Sequence, residues 1–329
     1  MNRIFRRSTL VLGLALMGSA TFAQPAPAAD FPNKPVTLIT PFAAGSGPDA
    51  VLRLVSDKLG RLWNQRVVVD NKPGGGGFIA IEAARRAAPD GYTLLQLDSE
   101  HIAALPHLYK SRNFQTLQHF DPVASLFRTP FFVAVGSDSK WKTMTDLIAD
   151  AKSKPGQIVY GSWGVGSPGH LGGQQIDALA GTQMTHAPYR EVSQLYANVG
   201  AGEVPWAFAS IPSSQGIYKA GKLRYIAVAA AKRIPQMPDV PTMGEAGGPP
   251  GLEVNSFVSI VAPKGVSPAV QAKINADVAK VIADPEIRAR FDTFAFEPLA
   301  WSPEQIRREA EAKSKTYGDL VQRGNISLE

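Results

Sequence analysis

Residues 36–63 read VTLITPFAAGSGPDAVLRLVSDKLGRLW. Val36 to Thr40 are β-branched residues and leucine, a composition that predicts a strand. Gly45 and Gly47 make a turn, and from Pro48 the apolar pattern changes period. Val51, Leu52, Val55, Leu59 and Leu62 share one helical face, so a helix with a buried stripe is expected from about Pro48 to Trp63. The unit then repeats. Arg66–Asp70 is a second strand, Pro73–Gly77 a flexible glycine loop into a helix through Ala88, and Tyr92–Leu97 a third strand. Strands alternating with helices of this length predict right-handed βαβ units and a parallel sheet.

A second series begins near Phe131. Strands are expected at Phe132–Val135, Gln157–Tyr160, Val204–Phe208 and Leu223–Val228, with helices opening at Thr143 and Pro168. Pro235–Pro250 is a proline-rich surface excursion, and Val254–Val261 is one more strand. Ser267-Pro268 and Ser302-Pro303 are helix starts, with serine as cap and proline in the first turn. Gln305 would complete a capping box with Ser302. These late helices need a core, and the first lobe offers one. The expected fold is therefore α/β in two lobes, each a mostly parallel sheet flanked by helices. Residues 30–130 with 255–329 form one lobe and residues 131–254 the other. Two chain crossings, near 128–133 and 250–256, make a hinge beside a cleft.

Composition narrows the function. Arg3, Arg6 and Arg7 precede an apolar run from Leu10 to Met17, and Ala26-Pro27-Ala28 fits a small-x-small cleavage site. The run is shorter than the roughly 20 residues a membrane span needs, so residues 1–28 read as a cleaved export signal. Whether export is general secretory or twin-arginine stays open at Arg6-Arg7. The chain carries 34 Lys and Arg against 28 Asp and Glu, an excess that falls to about +3 without the three leader arginines. That balance, with no basic run, excludes a nucleic-acid footprint. With no cysteine, disulfides, thiol catalysis and thiolate metal sites are excluded. No serine lies in G-x-S-x-G, and the five histidines show no H-x-x-x-H spacing. No catalytic residue, metal or cofactor is assigned.

Two turns share a layout: Gly45-Ser46-Gly47-Pro48-Asp49 and Gly164-Val165-Gly166-Ser167-Pro168. Each follows a strand and opens a helix, whose start presents unpaired N–H groups and a partial positive charge. One such turn per lobe, facing across a cleft, would grip an anion from both sides. Both also match G-x-G-x-x-G/A, and Asp70 stands where a ribose-binding acid would. A nucleotide-binding oxidoreductase is thus the rival reading. Against it stand the lengthening by Pro41-Phe42-Ala43-Ala44, the proline inside the fingerprint, and the export signal. A wholly structural role for both turns is the third reading. His170 could donate to an anion or serve only locally, and Asp49 reads as structural because it would repel one.

The chain resembles the tripartite tricarboxylate transporter substrate-binding proteins, also called the Bug or TctC-like family. The likeness runs from about Phe31 to Ile326. It is carried by Phe31-Pro-Asn-Lys-Pro-Val, Pro41-Phe-Ala-Ala-Gly-Ser-Gly-Pro-Asp49, Asp70-Asn-Lys-Pro-Gly and Ala88-Pro-Asp-Gly-Tyr-Thr-Leu94. Gly166-Ser-Pro-Gly-His-Leu171, Ala187-Pro-Tyr189, Ala220-Gly-Lys-Leu223 and Pro238-Asp-Val-Pro-Thr242 continue it in order. The resemblance implies a type II-like, two-lobed periplasmic binding protein, a Venus flytrap that closes on a small carboxylate. It implies ligand contacts from Phe42, Ala43, Ala44, Gly45, Ser46 and Gly47 in the first lobe. In the second lobe it implies Ser162, Trp163, Gly164, Gly166, Ser167, Pro168 and His170, with Ser99 and Tyr189 lining the cleft. The implied partners are the two membrane subunits of the transporter; a monomer is expected, and a sensor accessory that presents its ligand to a receptor would look the same.

Departures from the family pattern bear on the ligand. Trp163 stands where many members have a small residue, Ala209 where many have aspartate, and Pro48 where threonine is common. Glu100 and His101 replace small or hydroxyl residues, and Arg190 a frequent lysine. Losing a cleft aspartate argues against an amino-acid ligand, and Trp163 could stack on an aromatic carboxylate or belong to the core. The ligand class stays open between di- or tricarboxylates and aromatic carboxylates.

Overall fold

The computed structural model describes residues 31–328; residues 1–28, expected to be an export signal, lie outside them. Eleven strands among the described residues build two separate sheets. The first sheet takes β1 (Val36–Thr40), β2 (Val67–Asn71), β3 (Thr93–Asp98), β4 (Phe120–Pro130), β10 (Asn255–Pro263) and β11 (Glu297–Pro298), in the order β11-β4-β10-β3-β1-β2. The second takes β5 (Phe132–Gly136), β6 (Val159–Ser162), β7 (Thr185–Pro188), β8 (Trp206–Ala209) and β9 (Leu223–Val228), in the order β7-β6-β8-β5-β9. The two-lobed α/β arrangement is as expected.

The expectation of mostly parallel sheets needs correction. β1 pairs in parallel with β2 and β3, and β6 with β7 and β8, but all other pairings are antiparallel. The cause is the double crossing. β4 runs out of the first sheet and, with only Phe131 between, becomes β5 of the second. β10 carries the chain back. One strand leaving and one returning at the same waist must run in opposite directions, and they pair from Asn255 opposite Pro130 to Pro263 opposite Phe120. The waist is laced by backbone bonds: Phe131 N–H donates to Val254 (3.2 Å), Val254 N–H to Ala229 (2.9 Å) and Ala229 N–H to Phe131 (2.9 Å).

Each sheet is covered on both faces. On the first, Val51, Leu52, Val55 and Leu59 of the helix Gly47–Trp63 join Val270, Ile274 and Val278 of the helix Pro268–Ile282 over one face. Ile81, Ala84, Ile306 and Ala310 close the other. The second sheet packs Leu147 and Ile176 on one side and Leu195, Tyr196 and Val199 on the other. Both Ser-Pro helix starts are capped as expected, by Ser267 onto the Val270 amide and Ser302 onto the Gln305 amide. A reciprocal capping box forms elsewhere, between Thr143 and Asp146. The C-terminal helix Pro303–Arg323 does more than complete the first lobe. Its Tyr317, Leu320 and Val321 meet Leu171 of the helix Pro168–Ala180 together with Ala103, Ala104 and Leu108, so it straddles both lobes.

Candidate functional site

The first glycine turn is held from below and open above. Asp49, in the first turn of the helix Gly47–Trp63, is 1 % exposed. Its carboxylate accepts the Gly45 amide at 2.8 Å, Arg53 Nε at 3.0 Å and Asn71 Nδ2 at 2.7 Å. Burial alone would raise the Asp49 pKa; the bonds from Asn71, Arg53 and Gly45 outweigh it and hold the group below the ordinary carboxylate range. Asn71 also donates to the Phe42 carbonyl, so the end of β2 ties down the start of the turn. The Phe42 and Ser46 amides are used internally. Those of Ala43, Ala44 and Gly47 meet no acceptor among the described residues, and Ala43, Ala44 and Gly45 are exposed. This turn can donate to a ligand.

The second turn is built the same way and spent differently. Ser167 caps the helix Pro168–Ala180 onto the His170 amide, as Ser46 caps onto the Asp49 amide. His170 Nδ1 accepts the Gly166 amide at 3.0 Å, four residues back, as Asp49 accepts Gly45. Ser162 Oγ accepts the Gly164 amide, and Ser162 and Ser167 both donate to the Gly164 carbonyl. His170 stacks on His186 with ring centres 3.8 Å apart. Burial pushes the His170 pKa down to about 4, and burial with its neighbour pushes His186 down to about 3. With Nδ1 committed as an acceptor and the ring buried, His170 holds the turn. The Trp163 ring packs over Gly169, where an added Cβ would lie 2.8 Å from it.

Both turns border one cavity of about 610 Å³ between the sheets. Of the residues expected at the ligand, Phe42, Gly45, Ser46, Gly47, Trp163 and Pro168 line it. Ala43 and Ala44 belong to the same open turn without forming its wall, and Ser162, Gly164, Gly166, Ser167, His170 and Tyr189 do not line the cavity either. Ser99 is fully buried one layer back and bonds Glu100 and Ser256; Ser256 is the wall residue. Sequence reasoning missed a third helix start. The helix Ile211–Lys219 opens from β8 and puts Ser210, Pro212 and Ser213 on the wall. The signal was present, because Ser210-Ile211-Pro212 repeats the spacing of Ser46-Gly47-Pro48. An added Cβ on Gly47 would lie 3.7 Å from Pro212, so these two helix starts meet across the cleft. Phe294 and Phe296 were also missed. They flank Ala295, whose left-handed backbone (φ 50°) turns the chain at the helix end, a turn with no local glycine to announce it.

Behind the wall lies a buried charge cluster. Asp98 lines the cavity and binds His101 through both backbone and ring. Burial would raise the Asp98 pKa and lower that of His101, but their attraction wins, leaving Asp98 low and His101 high. Glu100 accepts from Ser99, Ser256 and Tyr317, and Lys313 donates to Tyr317 and to the Asn255 carbonyl. Burial, reinforced by Asp98, raises the Glu100 pKa against the pull of Lys313 and these hydrogen bonds. The cluster joins β3, the first residues of β10 and the C-terminal helix at the waist.

The nucleotide reading fails on topology. A dinucleotide sheet sets its first strand beside the second and fourth, in the order 3-2-1-4. Here β1 lies between β2 and β3, and Asp70 pairs with Lys72 at 3.0 Å. Comparison with known proteins gives the positive answer: the model of the tripartite tricarboxylate transporter family receptor matches residues 51–326. The chain belongs to that family. It is 31 % identical over 323 residues to a UPF0065 protein of Bordetella bronchiseptica, covering 96 % of this chain and 95 % of that one. It is 27 % identical over 302 residues to Protein BugT of Bordetella pertussis, covering 92 % of each. Among solved structures, Rpa4515 of R. palustris with adipate aligns at TM-score 0.80 and 28 % identity, over 91 % of this chain and all of that one. MatC of Rhodopseudomonas palustris with bound malate aligns at TM-score 0.75 and 25 % identity, over 88 % of this chain and all of that one. As a receptor of this family, the chain is a solute-binding protein of the two-lobed periplasmic type. No helix among the described residues is long and apolar enough to cross a membrane.

Proposed function

We propose that this receptor works in the periplasm, after loss of residues 1–28, as a monomer that captures a small organic carboxylate and delivers it to the two membrane subunits of a tripartite transporter. Residues 30–130 with 255–329 act as one lobe and 131–254 as the other, closing about the waist at Phe131 and Val254. The reading rests on one observation above all: the Gly47 end of the first turn and the start of the helix Ile211–Lys219 meet at one cavity between the sheets. Helix starts favour anions because their N–H groups are unpaired and the macrodipole is positive there. The adipate and malate held by the two solved relatives support a carboxylate. In this reading the protein binds its ligand without converting it, in keeping with the solved relatives described as a periplasmic transporter and a periplasmic binding protein.

Calorimetric titration with a panel of mono-, di- and tricarboxylates tests this. Binding with unchanged ligand recovered afterwards supports it, and ligand at a hundredfold excess over Kd should add about 2.7 kcal/mol of stability. A panel in which no carboxylate binds, or in which a bound one is chemically altered, contradicts it.

A further inference from the structure

Resting on that reading, the walls of the cavity narrow the ligand class. Among the described residues that line it there is no lysine, arginine or histidine, and the one acidic side chain is Asp98, a carboxylate. The two helix starts meet at one end, where Gly47 and Pro212 approach; there the Gly47 amide is without an acceptor among the described residues, while the Ser210 and Ser213 hydroxyls bond each other and Ser213 donates to the Ser210 carbonyl. Elsewhere the surface is largely aromatic: Phe42, Phe131, Trp163, Tyr196, Phe294 and Phe296. Phe131 and Trp163 lie 5.1 Å apart and tilted, two rings at one wall. The Tyr196 hydroxyl already donates to the Phe208 carbonyl, so it presents its ring rather than a donor. The start of the helix Pro168–Ala180, which should have been the second anion grip, instead carries the Trp163 ring over Gly169.

We infer that the ligand is an aromatic monocarboxylate, its single carboxylate at the paired helix starts Gly47 and Ile211 and its ring among the aromatic side chains. A second carboxylate would have to lose its water against rings, or lie near Asp98, with no cation to offset either cost. A flat apolar body matches those rings in offset or edge-to-face contact. The inference does not follow from the family, whose adipate- and malate-bound structures hold dicarboxylates.

The test is a titration of the purified protein with benzoate, phenylacetate, terephthalate, benzamide, cyclohexanecarboxylate, succinate, adipate and citrate. Benzoate or phenylacetate should bind at least roughly tenfold (about 1.4 kcal/mol) more tightly than succinate, adipate or citrate. Terephthalate, benzamide and cyclohexanecarboxylate should each fall below the aromatic monocarboxylates, through the extra charge, the missing charge and the missing π-face. Succinate, adipate or citrate binding as tightly as the best aromatic acid, or terephthalate matching benzoate, overturns the inference while leaving carboxylate binding intact. Silence from every acid in the panel overturns the inference and the proposed function together.

Discussion

The two glycine turns are near twins in sequence and opposites in use. Each is a strand followed by glycines, a capping serine and a proline at the head of a helix, and in each the third helical residue reaches back to the amide four residues before it. In the first turn that residue is Asp49, and the amides of Ala43, Ala44 and Gly47 meet no acceptor among the described residues, with Gly47 at the cavity wall. In the second it is His170, and the turn is half-buried with Gly166 packed against the other lobe: an added Cβ on Gly166 would lie 2.2 Å from Leu108. The lesson is that a helix-start motif specifies a backbone shape, while its surroundings decide whether the amides meet a ligand or the protein itself. One turn is a binding surface. The other is a joint.

Five perturbations would break or sharpen that contrast, the largest first. Asp49→Ala strands the Gly45 amide, Asn71 and Arg53 around a hole, and should cost roughly 3 kcal/mol in urea unfolding, with ligand binding lost. A loss under about 1 kcal/mol would mean that the turn stands without its carboxylate. Gly166→Ala combines a positive φ of 79° with the Leu108 clash, so about 2–3 kcal/mol is expected. Gly45→Ala meets a similar φ of 83° but open space, so its cost should stop at about 1 kcal/mol. Equal costs for the two glycines would erase the distinction between surface and joint.

Acid separates the turns by chemistry. His170 and His186 are depressed below the unfolded value of 6.5, so the unfolded chain binds their protons first. Their contribution is complete above pH 6.5 and declines as pH falls toward about 4 for His170 and about 3 for His186. His170→Asn keeps an acceptor near the Gly166 amide and should flatten the melting-temperature slope between pH 6.5 and 4.5 by on the order of 1 kcal/mol. An unchanged slope would show that the ring is not what titrates. Asp49, also depressed, gives stability that is present above its unfolded value near 3.8 and is lost only as pH falls below it. His101 has the opposite sign: raised by Asp98, it stabilises below 6.5 and ceases to as pH climbs through its folded value. The smallest effect expected is from Ser213→Ala, which removes a wall hydroxyl that bonds the Ser210 carbonyl and hydroxyl: unfolding stability should fall by about 1 kcal/mol, and affinity by about fivefold at most.

Much of the fold could be read from sequence because its βαβ units are periodic and punctuated. The strands at 36–40 and 67–71, the capped helix starts and the two crossings all carry local signals. β4 carries none. Phe120–Pro130 contains Asp121, Pro122, Arg128 and Pro130, which read as loop. It is a strand because β10 supplies a partner, and Pro122 is tolerated beside a register shift opposite Val261. Two of the antiparallel pairings in the first sheet, with β10 and β11, followed from that missed strand. At the site, the first turn was legible because its donors are backbone and need only a shape. The aromatic wall was not, since Phe294, Phe296, Phe131 and Tyr196 come from distant segments and look like ordinary core until the chain brings them to one cavity.

The central claim is a place: one carboxylate held between the helix starts at Gly47 and Ile211. A crystal structure of the liganded protein tests it most directly. The carboxylate oxygens should lie about 3 Å from the Gly47 amide and from Ser210 or Ser213, with the second turn's amides still bonded to Ser162 and His170. A carboxylate bound instead at Gly166 and His170, or outside the cavity between the sheets, would contradict the account.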